Sequence, residues 1–269
     1  GHLAGELKYA GIDAIIVRGK AQSPSYLLID DDRVEIRGAD HLWGQGAIKA
    51  EEVLKEELGD EFQIATIGPA GEAGVVFACI NHDFGRQAGR CGMGAVMGSK
   101  NLKAIAVRGT RSVPVADIAG LRNVANDMFR ELLANPGLKV WQDLGLAQVT
   151  TWANSIAALP TRNFRQNFYE DVNGLSGELM KETIVVGDKA CFACPMATGK
   201  LCKASFRGKT VLVEGPEYET TALIGSNCAL SSIEEVAFAN YVCDELGLDT
   251  ISAGNVVAFA MECFEEGII

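Results

Sequence analysis

Two cysteines at the spacing of a metal-binding loop, Cys191 and Cys194, are the residues of this chain best suited to chemistry. Thiolates separated by two residues can face one metal centre. The proline after Cys194 removes a backbone donor and stiffens the turn, as is frequent in iron–sulfur loops. A zinc knuckle would need a second such pair, and a thioredoxin-like redox pair would need a neighbouring βαβ pattern; neither complement is present. The spacing therefore favours iron–sulfur ligands, with zinc, redox and purely structural thiols as alternatives.

A glycine-rich run with basic neighbours covers residues 88–100 and contains Arg90. Glycine permits a left-handed backbone and a close approach to a ligand, and exposed N–H groups beside basic side chains can bind phosphate. The run is not a P-loop, because Gly-Lys-Ser/Thr is absent at the required spacing. It is not a convincing dinucleotide fingerprint either, because a predicted strand follows the run and does not precede it. The run predicts either an anion-binding loop or a tight structural turn.

An acidic phrase, DELGLD at residues 244–249, stands at the end of a predicted helix. Carboxylates at a helix C-terminus oppose the macrodipole, which costs a few tenths of a kcal/mol to about 1 kcal/mol. Hydrogen-bond donors of a bound ligand would compensate for this. The alternative is structural, with Gly247 as the C-cap of one helix and Asp249 as the N-cap of the next. Both interpretations can hold for the same residues.

A second group of carboxylates lies in the phrase EGPEYE at residues 214–219. Three carboxylates beside a proline turn usually belong to a solvated loop. If a metal-bound substrate lies nearby, one of them can act as a general base with a tuned pKa.

Hydrophobic patterning divides the chain near residues 110–118 and predicts an α+β fold. Residues 13–17, 25–29, 34–36, 62–67 and 104–107 are expected to be extended, and residues 48–58 helical. The turn Asp30-Asp31-Asp32 between the second and third of these runs predicts a hairpin or meander. Residues 121–133, 234–246 and 255–264 have helical spacing. We therefore predict a β-rich domain over residues 1–112 and a predominantly helical domain over residues 113–269.

Composition excludes several classes of function. The formal net charge of −11 argues against a nucleic-acid partner, and no apolar stretch reaches the roughly 18–20 residues that span a bilayer. Eight cysteines in a chain of 269 residues do not make a small disulfide scaffold, so a reducing, cytoplasmic location is expected. The chain begins at Gly1 in the middle of a pattern and ends directly after a helical one. We read it as an internal fragment.

Six phrases, in this order along the chain, resemble the aldehyde:ferredoxin oxidoreductase family of tungsten or molybdenum pterin enzymes. They are ELKYAG (6–11), IGPAGE (67–72), GAVMGSKNLKAI (94–105), LPTRNF (159–164), EGPEYE (214–219) and DELGLD (244–249). The resemblance implies an N-terminal β-domain that cradles a bis-pterin cofactor, followed by helical domains, with one [4Fe–4S] cluster nearby. It also implies oxidation of aldehydes to carboxylic acids, with ferredoxin or a similar carrier as electron acceptor and homo-oligomers in some members.

The resemblance assigns cofactor-binding roles by position. It places Arg90 between a pterin phosphate and the cluster, and it gives Cys91 a backbone contact to the pterin and to the Mg²⁺ that bridges its phosphates. A second pterin would be held by Asp244, Leu248 and Asp249.

The resemblance also assigns the catalytic base and the first metal ligands. Glu219 corresponds to the family's glutamate near tungsten and would move a proton from water or a hydrated aldehyde, with Glu217 in reserve. Cys191 and Cys194 would be the first two cluster ligands.

Two departures from the family pattern affect these assignments. Thr198 stands where the family commonly has a third cysteine, so either Cys202 supplies that thiolate through a longer loop, or ligation is altered or lost. Residues 233–242 contain no histidine, so the metal that some members share between subunits is not expected. The fragment alone is expected to be inactive and to bind no cofactor. A benzoyl-CoA reductase-type tungsten subunit and a non-catalytic binding or assembly module remain the alternatives.

Overall fold

The computed structural model describes every residue from Gly1 to Ile269 and forms two compact units. The sheet unit comprises Gly1–Ala116 and Cys243–Asp249, and the helical unit comprises Asp117–Val242 and Thr250–Ile269. The predicted α+β fold class is confirmed. Residues 113–116 and Cys243–Asp249, which we predicted to belong to the helical domain, lie in the sheet unit, and Leu248 of the second stretch bridges to Ala78. We call Cys243–Asp249 the acidic segment.

The sheet unit is built on six strands in the order β2-β1-β6-β3-β4-β5. Its elements are α1 (Leu3–Tyr9), β1 (Ser25–Asp30), β2 (Arg33–Gly38), α2 (Ala47–Leu58), β3 (Gln63–Thr66), α3 (Pro69–Glu72), β4 (Ile80–His82), β5 (Arg86–Ala88), α4 (Met93–Ser99) and β6 (Leu102–Arg108). Strands β1 and β6 pair in parallel, and every other pairing in the sheet is antiparallel. The short β4–β5 hairpin at one edge leads directly into the glycine-rich run.

Alternate side chains of the central strands point to opposite sides of the sheet, and other elements cover both faces. Tyr26 and Leu28 belong to one buried cluster together with Leu54 of α2. Ile29 and Val107 belong to another cluster, against which side chains of α1 pack. Burial of one large aliphatic side chain such as Leu54 contributes about 1.5–3 kcal/mol. These clusters hold the central strands in place, and the β4–β5 hairpin lies at one edge of the same sheet.

The helical unit contains a three-stranded antiparallel sheet in the order β7-β8-β9, which the sequence analysis missed. Its elements are α5 (Ile118–Ala134), α6 (Lys139–Leu144), α7 (Val149–Ser155), α8 (Gly177–Thr183), β7 (Val185–Lys189), β8 (Gly199–Phe206), β9 (Lys209–Glu214), α9 (Tyr218–Thr220), α10 (Ile233–Leu246) and α11 (Thr250–Glu265). Helix α10 ends inside the acidic segment of the sheet unit. Inward-facing residues of β8 and β9 pack on Ile233 and Ala237 of α10.

Most of the strongly periodic elements are confirmed, and one extended segment is wrong. The predicted hairpin of residues 25–36 is β1 and β2, and the predicted helices at residues 48–58, 121–133, 234–246 and 255–264 are α2, α5, α10 and α11. Residues 13–17 form no strand, and Ile16 is 78% exposed. None of the helices combines the length and the apolar character that a membrane crossing requires.

Candidate functional site

The acidic segment ends α10 in a glycine-capped turn. Gly247 has φ +73°, its N–H donates to the carbonyl of Asp244 (3.1 Å), and the N–H of Leu248 donates to the carbonyl of Cys243 (2.8 Å). This pair of bonds is a Schellman motif, which satisfies carbonyls that a helix end leaves unpaired. The predicted C-cap role of Gly247 is therefore confirmed.

The same segment runs beside residues 77–79 like a short antiparallel strand. The N–H of Cys79 donates to the carbonyl of Gly247 (2.9 Å), and the N–H of Asp249 donates to the carbonyl of Phe77 (3.1 Å). Ala78 and Leu248 form the bridge between these two bonds. The backbone of Gly247 and Asp249 is thus held by residues 77–79 of the sheet unit.

Both aspartates of the segment are buried and each has a polar partner on the β4–β5 side. Asp244 is 2% exposed and accepts a hydrogen bond from the amide nitrogen of Gln87 (2.9 Å). Asp249 is 7% exposed, and its carboxylate lies 3.5 Å from a guanidinium nitrogen of Arg90. Burial, followed by the charges of these two aspartates, raises the pKa of the Cys79 thiol. The structure therefore brings together Arg90, Asp244 and Asp249, three of the residues that the resemblance assigns to a pterin.

The glycine-rich run has a structural role that explains its composition. Cys91 and Gly92 have φ +71° and +69°, and α4 begins directly after them. A Cβ on Gly94 would collide with the carbonyl of Cys79, and one on Gly98 with the carbonyl of Gly71. These glycines, one helical turn apart, let α4 lie against neighbouring backbone. Arg90 and Cys91 remain exposed ahead of the helix, where they are available to an anionic ligand.

The two spaced cysteines lie in the connection between β7 and β8, at residues 190–198, which we call the thiol loop. Both thiols are exposed, and the N–H of Cys194 donates to the carbonyl of Cys191 (3.1 Å), which closes a tight turn. The loop is anchored where it joins β8. Gly145 packs against the carbonyl of Thr198, and the ammonium of Lys200 donates to Asp188 (2.6 Å).

The structure argues against Cys202 as a third ligand. Cys202 is fully buried on β8, paired with Val213 of β9, and belongs to the hydrophobic cluster of the helical unit. Burial raises the pKa of its thiol to about 12, which disfavours the thiolate that binds iron. Nowhere in the chain do three His, Cys, Asp or Glu side chains form a group that would hold a metal ion. The thiol loop thus has two exposed cysteines, Cys191 and Cys194.

Glu219 lies in the short helix α9, next to an irregular buried helical segment. Residues 220–228 are all buried, and Thr221–Gly225 forms a π-helix, a conformation found frequently at functional sites. The side chain of Glu219 is partly buried, whereas Glu217 is exposed. Thr220 is fixed by a hydroxyl hydrogen bond to Thr250 (2.9 Å). Of the two candidate bases, Glu219 has the more sheltered carboxylate.

Sequence reasoning missed Gln87, Gly145 and Lys200, which support the assigned residues. Gln87 lies on a strand of three residues, which is too short to give a periodic signal. Gly145 lies far before the thiol loop in the sequence. Lys200 lies just after the loop, outside the cysteine pair that predicts it. The alternation of β8 was a usable signal, since Cys202 and Ala204 are buried while Lys203 and Ser205 are exposed.

The fold is similar to that of a solved enzyme complex. A solved structure described as the active site complex BamBC of benzoyl coenzyme A reductase, with 1,5-dienoyl-CoA, superposes with a TM-score of 0.82 and 34% identity. The match covers 99% of this chain and 42% of that chain.

Comparison of the sequence with family models identifies the family of this chain. Residues 1–109 match the aldehyde ferredoxin oxidoreductase N-terminal domain, and residues 123–269 match domains 2 and 3 of the same family. The tungsten-containing aldehyde ferredoxin oxidoreductase of Pyrococcus furiosus is 43% identical, and that of Pyrococcus abyssi is 44% identical, each over 100% of this chain and 44% of the relative. The WOR-like subunit of an aliphatic sulfonate oxidoreductase of Pyrococcus furiosus is 33% identical over 98% of this chain and 44% of its own length.

This chain belongs to the aldehyde ferredoxin oxidoreductase family, which is a family of oxidoreductases. It spans less than half the length of the curated relatives that it matches. The resemblance stated from the six sequence phrases is confirmed at the level of the family.

Proposed function

We propose that the whole protein is a tungsten (or molybdenum) bis-pterin oxidoreductase that oxidises aldehydes to carboxylic acids and passes electrons through a [4Fe–4S] cluster to ferredoxin. The observation that carries this proposal is the convergence of Arg90, Asp244 and Asp249 in the sheet unit. The names of the relatives, which are tungsten-containing aldehyde ferredoxin oxidoreductases, support the metal and the reaction.

The donor chemistry of the acidic segment fits a pterin. Asp244 and Asp249 present carboxylate oxygens, which accept hydrogen bonds from ring N–H groups, and a charge-assisted bond of this kind is roughly twice as strong as a neutral one. Leu248 lies between them along the acidic segment, where its backbone bridges to Ala78. Arg90, which is 59% exposed, keeps most of its guanidinium available for a phosphate, and Cys91 would offer backbone to a phosphate-bound Mg²⁺.

Glu219 is the proposed general base. When bound, the metal pterin would supply the two-electron chemistry of the reaction. The carboxylate of Glu219 would accept a proton from water or a hydrated aldehyde at one of its oxygens. The buried segment that follows would keep that carboxylate in place and exclude bulk water.

Cys191 and Cys194 are the proposed iron ligands of this chain. Their exposure and the tight turn between them suit thiolates that must reach a metal outside the protein core. With Cys202 buried, the remaining cluster ligands would have to come from outside the thiol loop. Electrons would leave toward a small soluble carrier such as ferredoxin.

A reductive function is the second candidate, since the match to the benzoyl coenzyme A reductase complex reaches a TM-score of 0.82. A protein of that type would use the same cofactor residues but would run the electron flow into its substrate. A third possibility is a homologue that keeps the fold as a binding or assembly module, which Thr198 at the usual cysteine position favours.

Metal analysis and substrate oxidation separate the three candidates. We expect the whole protein, purified without oxygen, to contain about one tungsten or molybdenum and about four irons per chain and to reduce a low-potential dye with aldehydes. Reduction of an aromatic acyl-CoA without aldehyde oxidation would support the second candidate. Absence of both metals in protein isolated with a functional cofactor pathway would support the module.

The variant Glu219→Gln tests the proposed base. A proton acceptor contributes about 10²–10⁴-fold to catalysis, so kcat should fall by that factor while tungsten and pterin contents stay at the original level. Glu217→Gln is the matched control and should retain activity. The opposite ranking of the two variants would move the role to Glu217.

A further inference from the structure

The side chain of Gln87 makes three hydrogen bonds beside the acidic segment. Its amide nitrogen donates to Asn81 (2.7 Å) and to the carboxylate of Asp244 (2.9 Å). Its amide oxygen accepts from the thiol of Cys79 (2.8 Å). An amide offers two N–H donors and one carbonyl acceptor, so all of these groups are engaged and the orientation of the amide is fixed.

The partners of Gln87 are themselves held in place by the core. Asn81 is 0% exposed and donates from its amide nitrogen to Glu51 of α2 (3.3 Å). Glu51 is also 0% exposed and accepts from the backbone N–H of Phe84 in the β4–β5 turn (2.9 Å). A continuous hydrogen-bonded chain therefore runs from α2 through the hairpin to Asp244.

We propose that Gln87 is a positioning residue for the cofactor site, which it serves by holding the Asp244 carboxylate in one orientation. The inference rests on the proposed function, in which Asp244 receives pterin N–H donors. An amide suits the task because it donates to a buried carboxylate without adding charge. A carboxylate that stays fixed before the ligand arrives loses less side-chain entropy on binding, so the cofactor should bind more tightly.

Substitution by glutamate keeps the shape of Gln87 and makes the contact dependent on protonation. In Gln87→Glu a protonated carboxyl donates to Asp244 as the amide does, whereas an ionised one repels it. The charged and titratable groups around this contact are Asp244, Asp249, Glu51, Cys79, Cys243 and Arg90. The acidic members of this set favour the neutral form of the new carboxyl. Gln87→Met removes the donor at every pH.

The experiment measures pterin and tungsten retained by the whole protein after anaerobic dialysis at about pH 6 and at about pH 8.5. Loss of a residue that orients a ligating group typically costs about 10–100-fold in affinity, so Gln87→Met should lose cofactor to that extent at both pH values. Gln87→Glu should retain cofactor at the lower pH and lose it at the higher one. Gln63→Glu, at the start of β3 in the same unit, should match the unsubstituted protein throughout.

Each outcome decides the inference. Cofactor contents equal to the unsubstituted protein for both Gln87 variants at both pH values would refute it while leaving the proposed function intact. Loss by Gln87→Glu at both pH values would also count against it, since a purely structural defect would not recover on protonation. No pterin in the unsubstituted protein would remove the proposed function, and the inference with it.

Discussion

The backbone N–H of Cys79 donates to the carbonyl of Gly247 over 2.9 Å, and this bond holds the acidic segment beside residues 77–79 within the sheet unit. The backbone of Gly247 is left-handed, a conformation that favours glycine over other residues. The contact places two buried aspartates beside the β4–β5 hairpin and Arg90. The candidate cofactor site therefore depends on the close approach of two backbone segments.

The first prediction concerns that approach. A Cβ on Gly247 would lie 2.7 Å from the backbone nitrogen of Gly68, so Gly247→Ala combines a left-handed backbone with a clash. We expect it to lower the free energy of unfolding by about 2–4 kcal/mol, measured by urea denaturation. Gly74→Ala is the matched control, because Gly74 has φ +72° and open space around it, and it should cost about 1 kcal/mol. Equal costs for the two variants would contradict the close packing.

The second prediction concerns the anchor of the thiol loop. Gly145 has φ +62° and ψ −150°, a backbone conformation essentially restricted to glycine, and its Cα faces the carbonyl of Thr198. Gly145→Ala should displace the C-terminal end of the loop and lower the iron content of the purified protein. Gly208→Ala, a left-handed position with open space in the β8–β9 turn, should leave iron unchanged. Normal iron in the Gly145 variant would show that the loop does not need this anchor.

The third prediction concerns a buried ion pair in the sheet unit. Lys103 is 0% exposed and lies 2.5 Å from Glu72, which also accepts from the backbone N–H of Gly44. Glu72→Gln leaves an uncompensated buried cation and should destabilise the fold by about 3–5 kcal/mol. The double variant Glu72→Gln/Lys103→Met should recover part of that loss. Additive effects in this double-mutant cycle would mean that the two groups do not interact.

The same lysine gives stability a pH dependence of known sign. Burial lowers the pKa of Lys103 from 10.5 in spite of the nearby Glu72. Between the lowered pKa and 10.5 the unfolded chain binds more protons than the folded one, so stability rises with pH in this window. The free energy of unfolding should therefore decline as the pH falls from 10.5 through the folded-state pKa. Lys103→Met should remove that contribution, which denaturation at several alkaline pH values would measure.

The fourth prediction concerns thiol reactivity in metal-free protein. Cys91, Cys191 and Cys194 are exposed and should react rapidly with a thiol reagent at about pH 8. Burial raises the pKa of Cys202 to about 12 and that of Cys228 to about 11, so both should react only after unfolding. Bound iron should protect Cys191 and Cys194 but not Cys91. Rapid labelling of Cys202 in the folded protein would contradict its position in the core.

Sequence predicted the elements whose periodicity is strong and local. Helices α2 and α5 were found because their apolar residues recur with helical spacing, and the β1–β2 hairpin because the turn Asp30-Asp31-Asp32 separates two extended runs. The parallel pairing of β1 with β6 joins segments that are far apart in the chain. No local pattern specifies such a register.

The failures have separate physical causes. Residues 13–17 have the composition of a strand but no neighbouring strand to pair with, and β-propensity alone does not make one. Glycine disfavours helices, so the glycine-rich run predicts a loop. Helix α4 forms there nevertheless, because Gly94 and Gly98 permit tight backbone packing. The residue type of Cys202 made it a candidate for the third thiolate, although the alternating burial of β8 places its side chain in the core.

The candidate site was predictable in part. The segments that contain Arg90, Asp244 and Asp249 stood out by composition, but their roles came from the family resemblance. The contact between Arg90 and Asp249 is a tertiary feature. Gln87 gave no sequence signal at all, because its importance lies in three hydrogen bonds, to Cys79, to Asn81 on β4 and to Asp244 in the acidic segment.

The sheet unit is interrupted in the chain by residues 117–242, which belong to the helical unit. A ribosome adds about 5–20 residues per second, so several seconds pass between the emergence of Ala116 and that of Cys243. During this interval the N–H of Cys79 and the carbonyl of Phe77 lack the partners that Gly247 and Asp249 supply in the folded chain. Maturation of the sheet unit must therefore wait for Asp249, and a nascent chain that stalls earlier exposes an open edge to aggregation or to a chaperone.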